Sequence, residues 1–301
     1  MPHLTVLRVR ILFALLTSAL SLPALAHAPP ADGGSPPGWV MVALLVAALW
    51  YSLGVRRLWP HTRARRVLAW RAAAFGAGWL ALTAALLAPL DEAAQRSFAF
   101  HMIQHEVLML IAAPLLVIGR GLPTFLWALP AAARRVAGRA TKRSWLKRSW
   151  SALTAPLSAW LMHAAALWLW HLPAFFNAAV VNATIHDWQH STFLATALVF
   201  WHALLRHGAH GARGMALLYL FTTTIHTGVL GAMLTFAPRP FYRTLDPGLF
   251  DATGLTPLED QQLGGLIMWV PGALVYVSVA LVLTARWLRA LDTSSEAARP
   301  M

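Results

Sequence analysis

Residues 98–118 read FAFHMIQHEVLMLIAAPLLVI, and this stretch decides the class of fold. It is apolar along its length apart from four polar side chains near its start, and it does not alternate between apolar and polar residues. A helix needs about 20 such residues to cross the hydrocarbon core of a bilayer. The stretch therefore predicts a membrane-spanning α-helix rather than a strand of a β-barrel.

Six further stretches have the same character. The chain has 301 residues, of which 58% are hydrophobic and 12% charged, and this composition is too apolar for an ordinary soluble domain. We predict an all-α polytopic membrane protein whose seven-helix bundle occupies residues 38–288, followed by a cytoplasmic tail at residues 289–301. The predicted spans are residues 38–55, 67–89, 98–118, 151–171, 184–206, 215–236 and 262–285.

The N-terminus has the pattern of a secretory signal peptide. Arg8 and Arg10 precede an apolar stretch at residues 11–22, and Pro23 is followed by Ala24-Leu25-Ala26. This pattern predicts a signal peptide at residues 1–26, cleaved after Ala26, and a short extracytoplasmic segment at residues 27–37. An uncleaved signal anchor is the alternative.

The formal net charge of +13 indicates topology. Short loops rich in Lys and Arg remain in the cytoplasm, and the loops after spans 1 and 3 are rich in both. We therefore expect a multi-pass protein of the bacterial cytoplasmic membrane, with its N-terminus outside and its C-terminus inside. Because the cations lie in loops between apolar stretches, no nucleic acid is expected as a partner. The basic residues of these two loops are Arg56, Arg57, Arg63, Arg65 and Arg66, and then Arg120, Arg134, Arg135, Arg139, Lys142, Arg143, Lys147 and Arg148.

Two local features refine this topology. Residues 119–150, between spans 3 and 4, are predicted to be an anchoring loop, with an interfacial helix as the alternative. Thr256-Pro257-Leu258-Glu259 matches a capping box with Pro at the first helical position, which predicts that the last helix begins there.

Histidines fall at similar depths on several predicted spans. His101 and His105 are four residues apart near the outer end of span 3, and His186 and His190 repeat this spacing on span 5. Residues four apart share one helical face, so each pair can bind one metal ion. Span 4 runs outward and brings His171 to the same level. The chain has no Cys, so a metal ion would have to be bound by His, Met or carboxylate groups.

Other residues are weaker candidates. His163 lies about 12 Å deeper than His171 on span 4, and His226 lies near the middle of span 6. Met233 and Met268 could add thioether ligands, and Glu106 and Asp187 could orient ligand imidazoles. Imidazole with thioether suits copper, whereas imidazole alone also suits zinc or iron.

The motifs together resemble the seven-helix CtaG family of cytochrome c oxidase assembly proteins. The resemblance covers spans 3 to 7. It implies a role in maturing a haem–copper oxidase through copper binding, with oxidase subunits and a periplasmic copper chaperone as partners. The resembling residues are His101-Met102-Ile103-Gln104-His105, Ala112-Ala113-Pro114-Leu115-Leu116, Trp170-His171-Leu172-Pro173, His186 with His190, Leu230-Gly231-Ala232-Met233-Leu234-Thr235-Phe236 running to Tyr242, and Pro257-Leu258-Glu259-Asp260-Gln261-Gln262 with Gly264, Gly265, Met268 and Trp269.

Two other function classes remain open at the level of sequence. Paired histidines on facing helices could bind b-type haem in a membrane oxidoreductase. His163 and His226 could line the path of a metal or proton transporter. The sequence contains no Walker loop, nucleophile elbow or zinc-protease helix, so we expect a protein that is not an enzyme.

Overall fold

The fold was analysed in a computed structural model, which describes residues 38–209, 213–242 and 254–297. Across these residues the chain forms helices and no β-strand. The predicted signal peptide and the segment at residues 27–37 lie outside the described residues. The helices are α1 (Gly38–Leu58), α2 (Arg65–Leu86), α3 (Leu90–Ala94), α4 (Phe98–Ile118), α5 (Gly121–Ala128), α6 (Ala131–Ala140), α7 (Ser144–Leu153), α8 (Pro156–Trp170), α9 (Pro173–Val181), α10 (Ala183–Ala209), α11 (Arg213–Thr235) and α12 (Pro257–Ala297).

Each predicted span is largely covered by one helix, except the fourth, which α7 and α8 share, and the helices are not equally apolar. Within the described residues, α1, α2, α4, α11 and α12 are long and apolar enough to cross a membrane, and the bent pair α7–α8 makes six if it is one span. Helix α10 covers the predicted span 184–206, yet the polar residues that begin it lower its mean hydropathy. The chain is an all-α membrane protein, and the count of seven spans stays a prediction.

The predicted span at residues 151–171 is not one straight helix. Helix α7 ends at Leu153, α8 begins at Pro156, and the two helix axes differ by 57°. Ala155 has an extended backbone (ψ 137°), as expected for a residue before proline, and Pro156 has no N–H with which to continue α7. The local chemistry of Ala155-Pro156 therefore breaks the helix.

The segment before this break is helical as well. Residues 121–153, predicted to belong mainly to an anchoring loop, form α5, α6 and α7. Helix α5 begins after Arg120, whose left-handed backbone (φ 49°) turns the chain at the end of α4. That prediction was therefore wrong over α5 to α7, and the alternative of a helix is the one observed.

Helix α4 is the central helix of the bundle. Half of its most apolar window is buried, more than in any other candidate span of the described residues. A π-helical stretch at Val107–Ala112 interrupts it directly after Glu106. Its N-terminus is capped by Asp260 of α12, which accepts hydrogen bonds from Ser97 Oγ (2.7 Å), Phe98 N (2.6 Å) and Ala99 N (3.1 Å). This contact fixes the first turn of α4, where His101 lies.

Helix α12 is fixed by a capping box at its N-terminus and by close packing against α11. The predicted capping box is confirmed: Thr256 N donates to Glu259 Oε2 (2.7 Å), and Glu259 N donates to Thr256 Oγ1 (3.3 Å). Further along, α12 packs backbone to backbone against α11 at Gly265 and Gly231. A Cβ atom on Gly265 would lie 2.7 Å from the Gly231 carbonyl oxygen, so only glycine fits there.

A candidate metal centre formed by five histidines

The first pair of histidines lies on α4. His101 and His105 face the same side of the helix, and their ring centroids are 4.3 Å apart. Both side chains are buried, with 2% and 1% of their surface exposed. The spacing of four residues produces this geometry, because it brings two side chains one helical turn apart.

The second pair lies in the first two turns of α10. Asn182 caps this helix by accepting a hydrogen bond from Ile185 N (3.1 Å). The ring centroids of His186 and His190 are 4.1 Å apart. His190 is buried, whereas His186 is only partly buried. His186 is thus the member of the site most open to the surroundings.

The two pairs face each other across the interface between α4 and α10. His101 lies 5.2 Å from His186 and 6.0 Å from His190, measured between ring centroids. In these three residues, one ring nitrogen each can be chosen so that all three nitrogens lie within 4.8 Å of one another. Such a group can converge on one metal ion after small side-chain adjustments, since zinc or copper binds imidazole nitrogen at about 2.0 Å.

The remaining two histidines extend the cluster inward. His105 is 5.2 Å from His190 and 6.4 Å from His171 between ring centroids. His171 ends α8, and its Nδ1 is 2.7 Å from the Leu167 carbonyl oxygen. This hydrogen bond assigns the proton to Nδ1 and leaves the Nε2 lone pair for a ligand. Phe193 packs beneath His105 at 4.7 Å.

Several ring nitrogens of the cluster have no hydrogen-bond partner among the described residues. Leaving a buried polar atom unpaired costs about 1–3 kcal/mol. These atoms lie on four rings, and each ring can give one nitrogen to a metal ion, so metal coordination would satisfy one unpaired nitrogen of each histidine. The atoms are His101 Nε2, both nitrogens of His105, His171 Nε2 and His190 Nε2.

The structure adds polar residues that the sequence analysis missed. Gln104, fully buried between the two histidines of α4, donates hydrogen bonds to the Ala85 carbonyl (2.7 Å) and to Asp91 Oδ1 (2.8 Å). Asp91 interacts electrostatically with His186. A glutamine inside an apolar span was the available signal for Gln104, but Asp91, on the short helix α3 between two predicted spans, offered none.

Tyr242 supports the site from the segment after α11. Its hydroxyl donates a hydrogen bond to the His171 carbonyl oxygen (2.8 Å), and its ring stacks on Phe98 at 5.0 Å. Burial raises the pKa of Tyr242, so the phenol stays a neutral donor. Phe176 of α9 fills the space between Tyr242 (4.2 Å) and His101 (5.2 Å).

The weaker histidine candidates lie outside this cluster. His163 is buried, with Nδ1 3.2 Å from Thr196 Oγ1 and its ring stacked on Phe200. His226 packs edge-on against Trp160. His163 therefore lies in the interior of the bundle, whereas His226 is only partly buried.

The other predicted candidates have different surroundings. Met233 is 50% exposed on the outside of α11, whereas Met268 is buried in an apolar cluster with Phe98 and Phe176. The carboxylate of Glu106 points at Gly272 of α12, where an added Cβ would lie 3.0 Å from Oε2. Successive residues of a helix are rotated by about 100° around its axis, so Glu106 lies on a different face of α4 from His105. Asp187 is partly buried beside His186.

Comparison with known proteins agrees with the resemblance seen in the motifs. No curated protein and no solved structure matches the chain significantly. The family model described as cytochrome c oxidase caa3 assembly factor matches residues 49–290, a range that contains all five clustered histidines, Gln104, Asp91 and Tyr242. The chain therefore belongs to the CtaG family of caa3-type cytochrome c oxidase assembly factors.

Proposed function

We propose that this chain helps to assemble cytochrome c oxidase by binding copper in its five-histidine cluster and delivering it to an oxidase subunit. The observation that carries the proposal is the convergence of His101, His186 and His190, whose ring nitrogens lie within 4.8 Å of one another. Family membership supplies the oxidase as the partner. The role needs no catalysis by the chain itself.

The position of the cluster supports delivery on the extracytoplasmic side. Thirteen of the chain's 24 Lys and Arg residues lie in the segments 56–66 and 120–148, and the histidine cluster lies at the ends of α4 and α8 that are remote from these segments. Under the positive-inside rule, the basic loops face the cytoplasm of a bacterial cell and the histidines face outward. A periplasmic copper chaperone could load such a site.

The accessibility of the histidines fits a site that exchanges its metal ion. His186 is partly exposed while His101, His105 and His190 are buried, so a metal ion can enter beside His186 and be held further in. The Asp91 carboxylate interacts electrostatically with His186, and its negative charge favours a bound cation. When copper binds, it supplies the positive charge that the imidazole nitrogens and Asp91 stabilise together.

The test measures copper in the purified protein and in the oxidase of the same cells. The double substitution His101→Ala with His105→Ala should remove most bound copper and lower the copper content of the oxidase. The control is His61→Ala, because His61 is exposed and its Nδ1 hydrogen-bonds Arg57 within its own turn. Copper-free wild-type protein, together with unchanged oxidase copper in the double variant, would contradict the proposal.

Two measurements on the same preparation separate the alternatives. A Soret absorption band would indicate a haem protein instead of a copper carrier. Copper flux into proteoliposomes that is lost on His163→Ala would indicate a transporter using the deeper histidines.

A further inference from the structure

The basic segment, defined here as α6 and α7 with the turn between them (residues 131–153), has features that the copper site does not explain. It contains no Asp or Glu, and its cations are closely spaced. All of them except Arg134 are exposed. Its cations are Arg134, Arg135, Arg139, Lys142, Arg143, Lys147 and Arg148.

Both helices of the basic segment are amphipathic. On α7, Trp145, Trp150 and Leu153 lie on one side by helical spacing, and Lys147 and Arg148 lie on the other. The apolar side is uncovered: Trp145 is 62% exposed, Trp150 42% and Leu153 40%. Neither helix buries a single residue against the described protein. An apolar face beside a dense positive face therefore remains open for a partner.

The attachment of the segment holds it at the end of the bundle. The axes of α7 and α8 differ by 57°. Trp150 contacts His202 of α10 at 5.6 Å between ring centroids, and Arg134 stacks over Trp127 of α5 at 4.0 Å. These contacts attach the two ends of the segment to the neighbouring helices α5 and α10.

We propose that the basic segment binds the headgroups of anionic phospholipids at the membrane surface. Exposed tryptophans are suited to the boundary between headgroups and acyl chains, and clustered Lys and Arg attract anionic lipid. Charge complementarity and the direct connection to a membrane span favour lipid over an acidic protein. This binding is independent of copper.

The test uses the purified, delipidated full-length chain and native mass spectrometry with added phosphatidylglycerol or phosphatidylcholine. Wild-type protein should bind phosphatidylglycerol at least about tenfold more tightly than phosphatidylcholine. The triple substitution Lys142→Gln, Lys147→Gln and Arg148→Gln should abolish this preference. The matched control, Arg63→Gln with Arg65→Gln and Arg66→Gln, removes three exposed charges from the other basic loop and should retain it.

A second measurement uses the unmodified chain and so does not depend on how the variants fold. In nanodiscs, replacing part of the phosphatidylcholine by phosphatidylglycerol should slow amide hydrogen exchange within residues 131–153. Equal affinity of wild-type protein for the two lipids, equal losses in the two triple variants, or unchanged exchange in nanodiscs would overturn the proposal.

Discussion

At the scale of single residues, the candidate site combines neutral ligands with one nearby anion. The buried imidazoles provide nitrogen donors without charge, and Asp91 provides a carboxylate near His186. Gln104 ties this carboxylate to α4 through a hydrogen bond of 2.8 Å. The affinity for a cation should therefore depend on Asp91 even though it lies on the short helix α3 and not in the histidine cluster.

Replacing Asp91 by Asn tests this dependence. Asn keeps an oxygen that can accept the hydrogen bond from Gln104 but removes the negative charge. We expect copper affinity, measured by competition with a chelator, to fall about three- to tenfold, which corresponds to roughly 1 kcal/mol. Glu92→Gln is the control, because Glu92 is an exposed acidic neighbour on the same short helix. Equal copper affinities of the wild-type protein and the Asp91→Asn variant would show that Asp91 does not contribute to copper binding.

At the scale of helices, the site depends on how α4 is held against α12. Asp260 of α12 caps α4, and Gly264 of α12 gives room to Phe98, where an added Cβ would lie 2.3 Å from the ring. Helix α12 in turn is fixed by its close contact with α11 at Gly265. A change at this remote contact should shift α12 and, through Asp260, the first turn of α4.

Gly265→Ala tests the contact between α11 and α12. The new methyl group would lie 2.7 Å from the Gly231 carbonyl oxygen and 2.7 Å from Thr235 N, both backbone atoms that cannot move alone. We expect a loss of about 2 kcal/mol, seen as an apparent Tm lower by about 4–8 °C in detergent. Gly76→Ala on α2 is the matched control, since no atom lies within 4 Å of its added Cβ. An unchanged Tm for Gly265→Ala would show that the helices are packed less closely.

Sequence patterns predicted the helices better than the breaks between them. The spacing of His101 with His105 and of His186 with His190 predicted which rings share a face, because helical geometry alone fixes this. The capping box at Thr256 was equally local. The break at Pro156 and the π-helical stretch after Glu106 both lie inside long apolar stretches. Hydropathy is the same on either side of them, so it did not predict either interruption. The hydrogen bond between Asp91 and Gln104 joins the short helix α3 to α4 and has no signature in sequence.

At the scale of the whole molecule, copper delivery outside the cytoplasm requires one orientation of the bundle in the membrane. The basic loops lie at one end of the helices and the histidine cluster at the other. Delivery to an extracytoplasmic copper acceptor is possible only if the cluster faces outward. The distribution of Lys and Arg predicts this orientation.

The chain offers a clean background for measuring this orientation because it has no native cysteine. Glu92→Cys places a thiol at an exposed position near the cluster, and Lys142→Cys places one in the basic segment. We expect a membrane-impermeant maleimide to label the first variant in intact spheroplasts and the second only after permeabilisation. The reverse pattern of labelling would place the histidines on the cytoplasmic side.

X-ray absorption spectroscopy of the copper-loaded, purified protein is the most direct test of the central claim. We expect nitrogen ligands at about 2.0 Å with the multiple scattering that is typical of imidazole, and no sulfur ligand, since Met233 is exposed and Met268 is enclosed by apolar side chains. This nitrogen signal should disappear in the variant His101→Ala with His186→Ala and His190→Ala. A sulfur shell, or an unchanged spectrum in that variant, would contradict copper binding by the five-histidine cluster.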